Sequence, residues 1–390
     1  MALTAQEIDP LVPAIEPASA EAAAQASRSS RLVSLDAFRG LTIAGMILVN
    51  NPGSWEHSYE PLTHAEWNGW TPADLVFPFF LFIMGVAITF SFRKPAPGYG
   101  DRRTFLRILR RTALLFVLGL ALNVLTNSDG LSTLRIPGVL QRIALCYLAA
   151  SLTFLCSGPR TQTALFGGLL VAYWLLLDLA PVAGHRPGWD DPETNLAAYL
   201  DRLLIGESHL YRETWDPEGL LSSLPAVATT LLGVLTGHWL HSARPPARKT
   251  VGLALAGMAV LVAGLVCDSW MPINKNLWTG SYVLFTGGMA MVTLAACHWL
   301  IDVKRIQRPL LPLVVFGVNP IAVYVLSTAG GELLDSLTIH GTNLRDWLCQ
   351  ALFARWTTPN AASLLFAVCY ALVWLGATTA LYRRKIIIRL

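Results

Sequence analysis

The sequence predicts an all-α polytopic transmembrane bundle of about ten spans with both termini cytoplasmic. Three observations carry this prediction. The chain has 390 residues, 54% hydrophobic and 14% charged, where soluble domains carry about 25% charge. Apolar runs recur near the length of roughly 17–25 residues that crosses a hydrocarbon core as a helix. They are continuous rather than alternating, which selects helices over the closed barrels that also satisfy the backbone in lipid. Finally, Lys and Arg collect in alternate connections, as the cytoplasmic enrichment of basic residues requires.

The spans fall in order at 33–50, 74–92, 109–126, 136–156, 162–180, 222–241, 250–268, 279–301, 311–329 and 361–382. The first is short and carries Asp36 and Arg39, three residues apart and able to pair. The second opens on Thr71-Pro72-Ala73-Asp74, with threonine at N-cap, proline at N1 and aspartate at N3. The third follows a basic connection at 93–111. The fourth begins with Arg135-Ile136-Pro137-Gly138 and places Arg142 about 9 Å into the membrane at helical rise. The sixth follows Trp215-Asp216-Pro217-Glu218-Gly219, and the eighth follows Asn274-Lys275-Asn276-Leu277-Trp278. Outside segments are long, at about 51–73, 127–135, 181–221, 269–278 and 330–360. A helical stretch from Asn195 to Ile205 sets Leu196, Leu200, Leu203 and Leu204 on one face.

With a cytoplasmic N-terminus, twenty of the 29 basic residues lie inside and seven outside, while Arg39 and Arg142 fall within spans. Nine or eleven spans would scramble that bias, so the net charge of +4 reports topology and gives no ground for nucleic acid as a partner. The six cysteines lie in or beside apolar runs without metal-ligand spacing and read as small buried hydrophobes. Residues 1–30, rich in Ala, Glu and Ser, predict a disordered cytoplasmic tail with no cleavable signal peptide, and 31–390 a single transmembrane domain. No Asn-x-Ser/Thr sequon occurs, which favours a bacterial inner membrane.

Chemistry concentrates between spans one and two. Asn50 ends span one, and His64, Glu66, Trp67 and Asn68 follow on the same side. Imidazole takes and returns a proton near neutral pH, a carboxamide can donate to an oxyanion, and an indole offers a flat face for a sugar ring. A lone histidine is equally at home as a solvated or structural group; its company is what argues for catalysis. Asp74 either caps span two, orients the imidazole or binds a hydroxyl or amine. Glu218, Asn274, Asn276 and Trp278 are further polar or aromatic groups near the outer edge. Inside, Arg39, Arg107, Arg110 and Arg111 fit a phosphate-bearing cofactor, since Arg matches phosphate bidentately. Topology and anionic lipid account for the same cluster. Arg142, deep in span four, is by default functional or paired.

Several strings resemble one family. Ser34-Leu35-Asp36-Ala37-Phe38-Arg39-Gly40-Leu41-Thr42, Val49-Asn50, His64-Ala65-Glu66-Trp67-Asn68-Gly69 and Asp74-Leu75-Val76-Phe77-Pro78 stand in the order found in the heparan-α-glucosaminide N-acetyltransferase family. Residues 135–142, Asp216-Pro217-Glu218-Gly219 and Asn274-Lys275-Asn276-Leu277-Trp278 resemble its later motifs, so the likeness runs over about 31–330. The resemblance implies an acyltransferase that moves acetyl from cytoplasmic acetyl-CoA to a glucosamine-type amine beyond the membrane, with no metal. It implies His64 and Asn50 as catalytic residues. Trp67, Asn68, Asp74, Glu218, Asn274, Asn276 and Trp278 are then expected on the sugar, and Arg39, Arg107, Arg110, Arg111 and Arg142 on the donor. Animal members carry an extra domain and one more span ahead of this region, and the loops at 181–221 and 330–360 differ enough that the acceptor need not be heparan. The expected partners are the amino sugar, acetyl-CoA and membrane lipids, with a homodimer left open.

A sugar or small-molecule transporter is the competing expectation, because ten helices with an outer aromatic site suit one. Ion coupling wants ionisable groups near the midplane, whereas Asp36, Asp74, Asp178 and Asp268 all lie near span ends.

Overall fold

Among the described residues of the computed structural model, nine helices are long and apolar enough to cross a membrane, and a pair bent by 75° makes a tenth if it is counted as one span. The structure describes residues 32–92, 102–127, 130–182, 188–189 and 191–388. The expected N-terminal tail, and Arg93, Lys94, Arg186 and Asp190, lie outside them. In chain order the helices are α1 (Val33–Asn50), α2 (Val76–Ser91), α3 (Arg102–Thr126), α4 (Val139–Cys156), α5 (Pro159–Leu179), the short α6 (Leu196–Leu204), α7 (Ser223–Leu240), α8 (Pro246–Cys267), α9 (Gly280–His298), α10 (Leu311–Val318), α11 (Pro320–Ser336), the short α12 (Leu344–Cys349) and α13 (Pro359–Arg383). A two-residue hairpin, β1 (Thr338–Ile339) with β2 (Thr342–Asn343), turns through His340 and Gly341, both at positive φ.

Burial sorts the helices into two rings. Helix α7 is 72% buried, α2 67% and α1 61%, whereas α5 and α13 are 17% buried. The outer helices present apolar side chains such as Val117, Leu255 and Val373 outward, as a lipid solvent demands. Inner crossings are held by small residues at the points of contact. A Cβ on Gly40 would run into Leu313 O and one on Gly317 into Asp36 O, so α1 and α10 touch backbone to backbone. Gly85 and Gly233 do the same for α2 and α7. Close approach of this kind drives helix association in lipid, where apolar burial between helices gains little.

The ninth predicted span is interrupted by a sharp bend. Helix α10, with the turn before it, and α11 meet at 75° across Asn319, the residue before Pro320. Proline disfavours helical backbone at the residue before it, and Asn319 leaves the helix at φ −124° and ψ 53°. Its side chain donates from Nδ2 to Ile386 O at 3.1 Å and accepts Ile388 N–H at 2.9 Å, so the C-terminal segment is docked on the break.

The long loops are knit together at one end of the bundle. Gly69 N–H donates to Ile273 O at 2.8 Å, Ile136 N–H to His209 O at 3.1 Å and Gly53 N–H to Ser363 O at 3.2 Å. Helix α6 is capped by Asn195, whose side chain accepts Ala198 N–H at 2.9 Å. It buries Ala197, Ala198 and Asp201, while Leu203 and Leu204 lie on its exposed side. Outward leucines suit a helix resting in a lipid interface.

Candidate active site

A cavity of about 520 Å³ lies under the knitted loops, walled by the ends of α1, α2 and α4 nearest them and by the start of α11 at the break. Its floor is apolar, formed by Met46, Phe80, Ile143 and Ile321 among others. Its mouth is polar and aromatic, with Asn50, His64, Glu66, Arg135, Tyr211, Arg212, Trp215, Glu218, Lys275 and Asn276. The volume falls in the range of small-ligand sites, and the mix of apolar wall with a few convergent polar groups is their usual chemistry.

His64 is fixed by the turn that starts the second span. Asp74 caps that turn, accepting Thr71 N–H on Oδ2 at 3.0 Å and Ala65 N–H on the same oxygen at 3.1 Å. Its Oδ1 faces the His64 ring, with Nδ1 at 2.7 Å. A carboxylate only accepts, so Nδ1 carries the proton and Nε2 of the neutral ring is left with its lone pair. Nε2 has no hydrogen-bond partner among the described residues, and the His64 side chain is 46% exposed while that of Asp74 is fully buried. Tyr282 from α9 donates its hydroxyl to Asp74 O at 2.6 Å and holds the turn from below. The geometry is a base aligned by a buried acid, in a residue that lines the cavity.

A third group joins them from a distant loop. Lys275 Nζ lies 3.3 Å from Asp74 Oδ1. Burial pushes its ammonium below the usual lysine range, against the opposing pull of Asp74 and Glu218. Across the mouth, Arg135 donates from Nε and Nη2 to Asp216 at 2.8 and 2.6 Å and from Nη2 to Glu218 at 2.5 Å. Burial works against ionisation of Glu218, but Arg135, Arg142 and Lys275 hold its carboxyl below the ordinary range. Glu218 is thus an anion facing the cavity.

The structure divides the residues expected on the sugar. Glu218 and Asn276 line the cavity with His64 and Asn50. The Asn50 side chain has no hydrogen-bond partner among the described residues. Asp74 stands directly behind His64. Trp67 lies outside the lining; it donates to Trp189 O at 3.2 Å and packs edge-on against the lining Trp215. Asn274 donates to Asn68 Oδ1 at 3.1 Å, and neither lines the cavity. Trp278 is 1% exposed, bonded to Thr229 Oγ1 at 3.0 Å and packed edge-on against Phe77 and Tyr282.

None of the five arginines expected on the donor lines the cavity. Arg142 is enclosed, donating to Gly219 O at 3.1 Å and to Ser222 Oγ, with its guanidinium 5.1 Å from the Trp278 ring centre. Adjacent Gln141 is also buried and turned to Ile136 O, so neither of this pair reaches the cavity. Arg39 pairs with Asp36 at 3.0 Å and caps α10 through Gly317 O at 3.1 Å. Arg107 and Arg110 are exposed near the start of α3. Arg111 lies over the Tyr147 ring at 4.7 Å with Nε buried and without a hydrogen-bond partner among the described residues. Tyr147 is four residues past the floor residue Ile143, about 6 Å along α4.

Lys275, Arg135, Tyr211, Arg212, Trp215 and Tyr324 were not singled out as site residues from sequence. Lys275 had a signal, standing between the two asparagines that were. Pro320 and Tyr324 had one too: an Asn-Pro pair inside an apolar run marks a break, and breaks expose polar backbone beside cavities.

Comparison with known proteins gives a consistent set of matches. The family model described as heparan-alpha-glucosaminide N-acetyltransferase, catalytic, matches residues 31–265. A human protein named heparan-alpha-glucosaminide N-acetyltransferase is 29% identical over 97% of this chain and 62% of its own length. A mouse protein of the same name is 30% identical over 82% of this chain and 56% of its own length. The chain therefore spans about three fifths of the length of these relatives.

Proposed function

Since the chain belongs to the heparan-alpha-glucosaminide N-acetyltransferase family, we propose that it is an integral membrane acyltransferase. In this reading it takes acetyl from acetyl-CoA on the cytoplasmic side and places it on the amine of a glucosamine-type sugar on the other, in a bacterial inner membrane. The observation that carries the reading is the His64–Asp74 pair, closed at 2.7 Å on one ring nitrogen, in a histidine that lines the cavity and whose other ring nitrogen is unbonded among the described residues.

The chemistry asked of the chain is modest. Acetyl-CoA supplies an activated acyl group. His64 Nε2 takes the proton as the sugar amine bonds to the acyl carbon, and returns it to the departing thiolate as the carbon–sulfur bond breaks. Asp74 stabilises the imidazolium formed in between. A route through acetyl on His64 itself uses the same nitrogen. Asn50 offers a free carboxamide to the carbonyl oxygen, and Glu218 and Asn276 offer acceptors and donors to sugar hydroxyls. For the donor, Arg107, Arg110 and the Nε of Arg111, without a hydrogen-bond partner among the described residues, suit phosphate oxygens. They lie beyond the apolar floor, on the side where a nucleotide would enter.

The test is purified protein in lipid nanodiscs with acetyl-CoA and glucosamine. Acetylated sugar in wild type and none in His64→Ala is the expected result; turnover unchanged in that variant removes His64 from the mechanism. Label trapped on His64→Ala as on wild type would exclude an acetyl-histidine at this position.

The break at Asn319 favours a second reading, transport, because discontinuous helices line transporter sites. Sugar uptake into vesicles without acetyl-CoA would select it.

A further inference from the structure

A second cavity, of about 380 Å³, opens at the same end of the bundle and shares no lining residue with the first. One wall is the loop 53–57, with Trp55, Glu56 and His57; the other carries Asp335, Arg345, Asp346 and Gln350. Its back is rigid. Arg345, 3% exposed, donates to both oxygens of Asp335 at 2.6 and 2.8 Å, to Pro52 O at 3.0 Å and to Gly331 O at 3.2 Å. A buried guanidinium so held is a scaffold, and it neutralises Asp335.

Two carboxylates remain. Among the described residues neither Glu56 nor Asp346 has a cationic partner; Asp346 accepts only from its own loop, from Asn343 Nδ2 at 3.0 Å. Facing this wall, Trp55 leaves its indole 65% exposed, with Nε1 unbonded among the described residues. A flat apolar face beside two uncompensated anions and a carboxamide selects a ring that carries hydroxyls and a positive charge. An anionic sugar would meet repulsion here, and a neutral one could hydrogen-bond the carboxylates through its hydroxyls but would leave their charge uncompensated.

The two cavities are near neighbours. Asn50 lines the first and Gly53 the second, and three residues of chain reach at most about 11 Å. We propose that the second cavity is a docking subsite for a further protonated amino-sugar unit of the acceptor. The preferred acceptor is then an oligosaccharide with two or more amino sugars, one unit presented to His64 while another rests against Trp55. This rests on the amino-sugar reading of the first cavity. Tethering two units makes the second contact intramolecular and raises affinity without any change at the reacting amine.

The test uses the full chain in nanodiscs and compares binding of glucosamine, a β-1,4-linked glucosamine tetramer and the fully N-acetylated tetramer. The glucosamine tetramer is expected to bind at least about tenfold more tightly than the monomer, and the N-acetylated one, lacking ammonium groups, to show no such gain. Trp55→Ala, and separately Glu56→Gln with Asp346→Asn, should bring the tetramer down to the monomer's affinity while kcat on glucosamine stays unchanged. Equal affinity for monomer and tetramer, a tetramer advantage that survives both variants, or equally tight binding of the N-acetylated tetramer would each overturn the proposal. If wild type acetylates none of these sugars, the acceptor reading fails by that result alone, while the binding comparison still decides the cavity.

Discussion

Lys275 Nζ and His64 Nδ1 converge on one oxygen, Asp74 Oδ1, at 3.3 and 2.7 Å. A buried carboxylate that receives two side-chain donors on Oδ1 and two backbone N–H groups on Oδ2 has its orientation over-determined. It transmits that order to the imidazole.

Asp74→Asn should therefore uncouple position from charge. The amide still fills the site, but it can no longer balance an imidazolium, and it is free to present its NH₂ to Nδ1 and impose the wrong tautomer. A fall in kcat of about 10² to 10⁴-fold is expected, with KM for the sugar changed much less. Steady-state kinetics check it; a KM effect with kcat intact would assign Asp74 to binding instead.

Lys275→Met removes an ammonium from the cavity wall while keeping its stem. Loss of the positive charge that helps hold Asp74 behind His64 is expected to lower kcat/KM by about 10²-fold, with Lys275→Arg recovering part of it. Equal activity in the Met and Arg variants would show that charge at this position is irrelevant.

Gly40→Ala should destabilise the inner ring. The added methyl runs into Leu313 O, a backbone atom that cannot swing aside, so α1 and α10 must part. The cost is expected at the upper end of the overpacking range, about 3 kcal/mol. Gly168→Ala, where a Cβ meets nothing within 4 Å, is the control. Thermal unfolding in detergent reads both, and equal midpoints would contradict the close crossing.

Asp201 should make stability depend on pH. Burial pushes its carboxyl up to about 7 from an ordinary 3.8, with the charge of Asp216 adding to the rise and Leu220 N–H at 2.8 Å opposing it. The folded state therefore binds this proton more tightly than the unfolded chain does. The contribution is complete below the unfolded value and is lost as pH rises through the folded one. Wild type should melt lower at about pH 8.5 than at about pH 5.5, and Asp201→Asn, which cannot ionise, should flatten that difference. An unchanged slope in the variant would assign the pH dependence elsewhere.

The composition and the apolar runs were enough to predict the helical membrane bundle and its order of spans, because the cost of polar backbone in lipid leaves a single-chain sequence few alternatives. The capping turn Thr71–Asp74 was equally legible, since its hydrogen bonds join residues three apart. Proximity in sequence also put His64 and Asp74 within reach of each other. What sequence left undecided depends on how helices rotate and where distant loops meet. Trp278 and Asn274 stand beside Lys275 in the chain, yet the turn through Trp278, at φ 55°, sends the indole into the core and leaves the lysine on the cavity. Arg142 faces the 219–222 turn, because α4 directs Val139, Leu140 and Ile143 to the cavity and the guanidinium away from it. Hydropathy is a local property and decides that a segment spans; which side chains converge on a cavity is settled by close packing between segments far apart in sequence, and only the tertiary structure carries that.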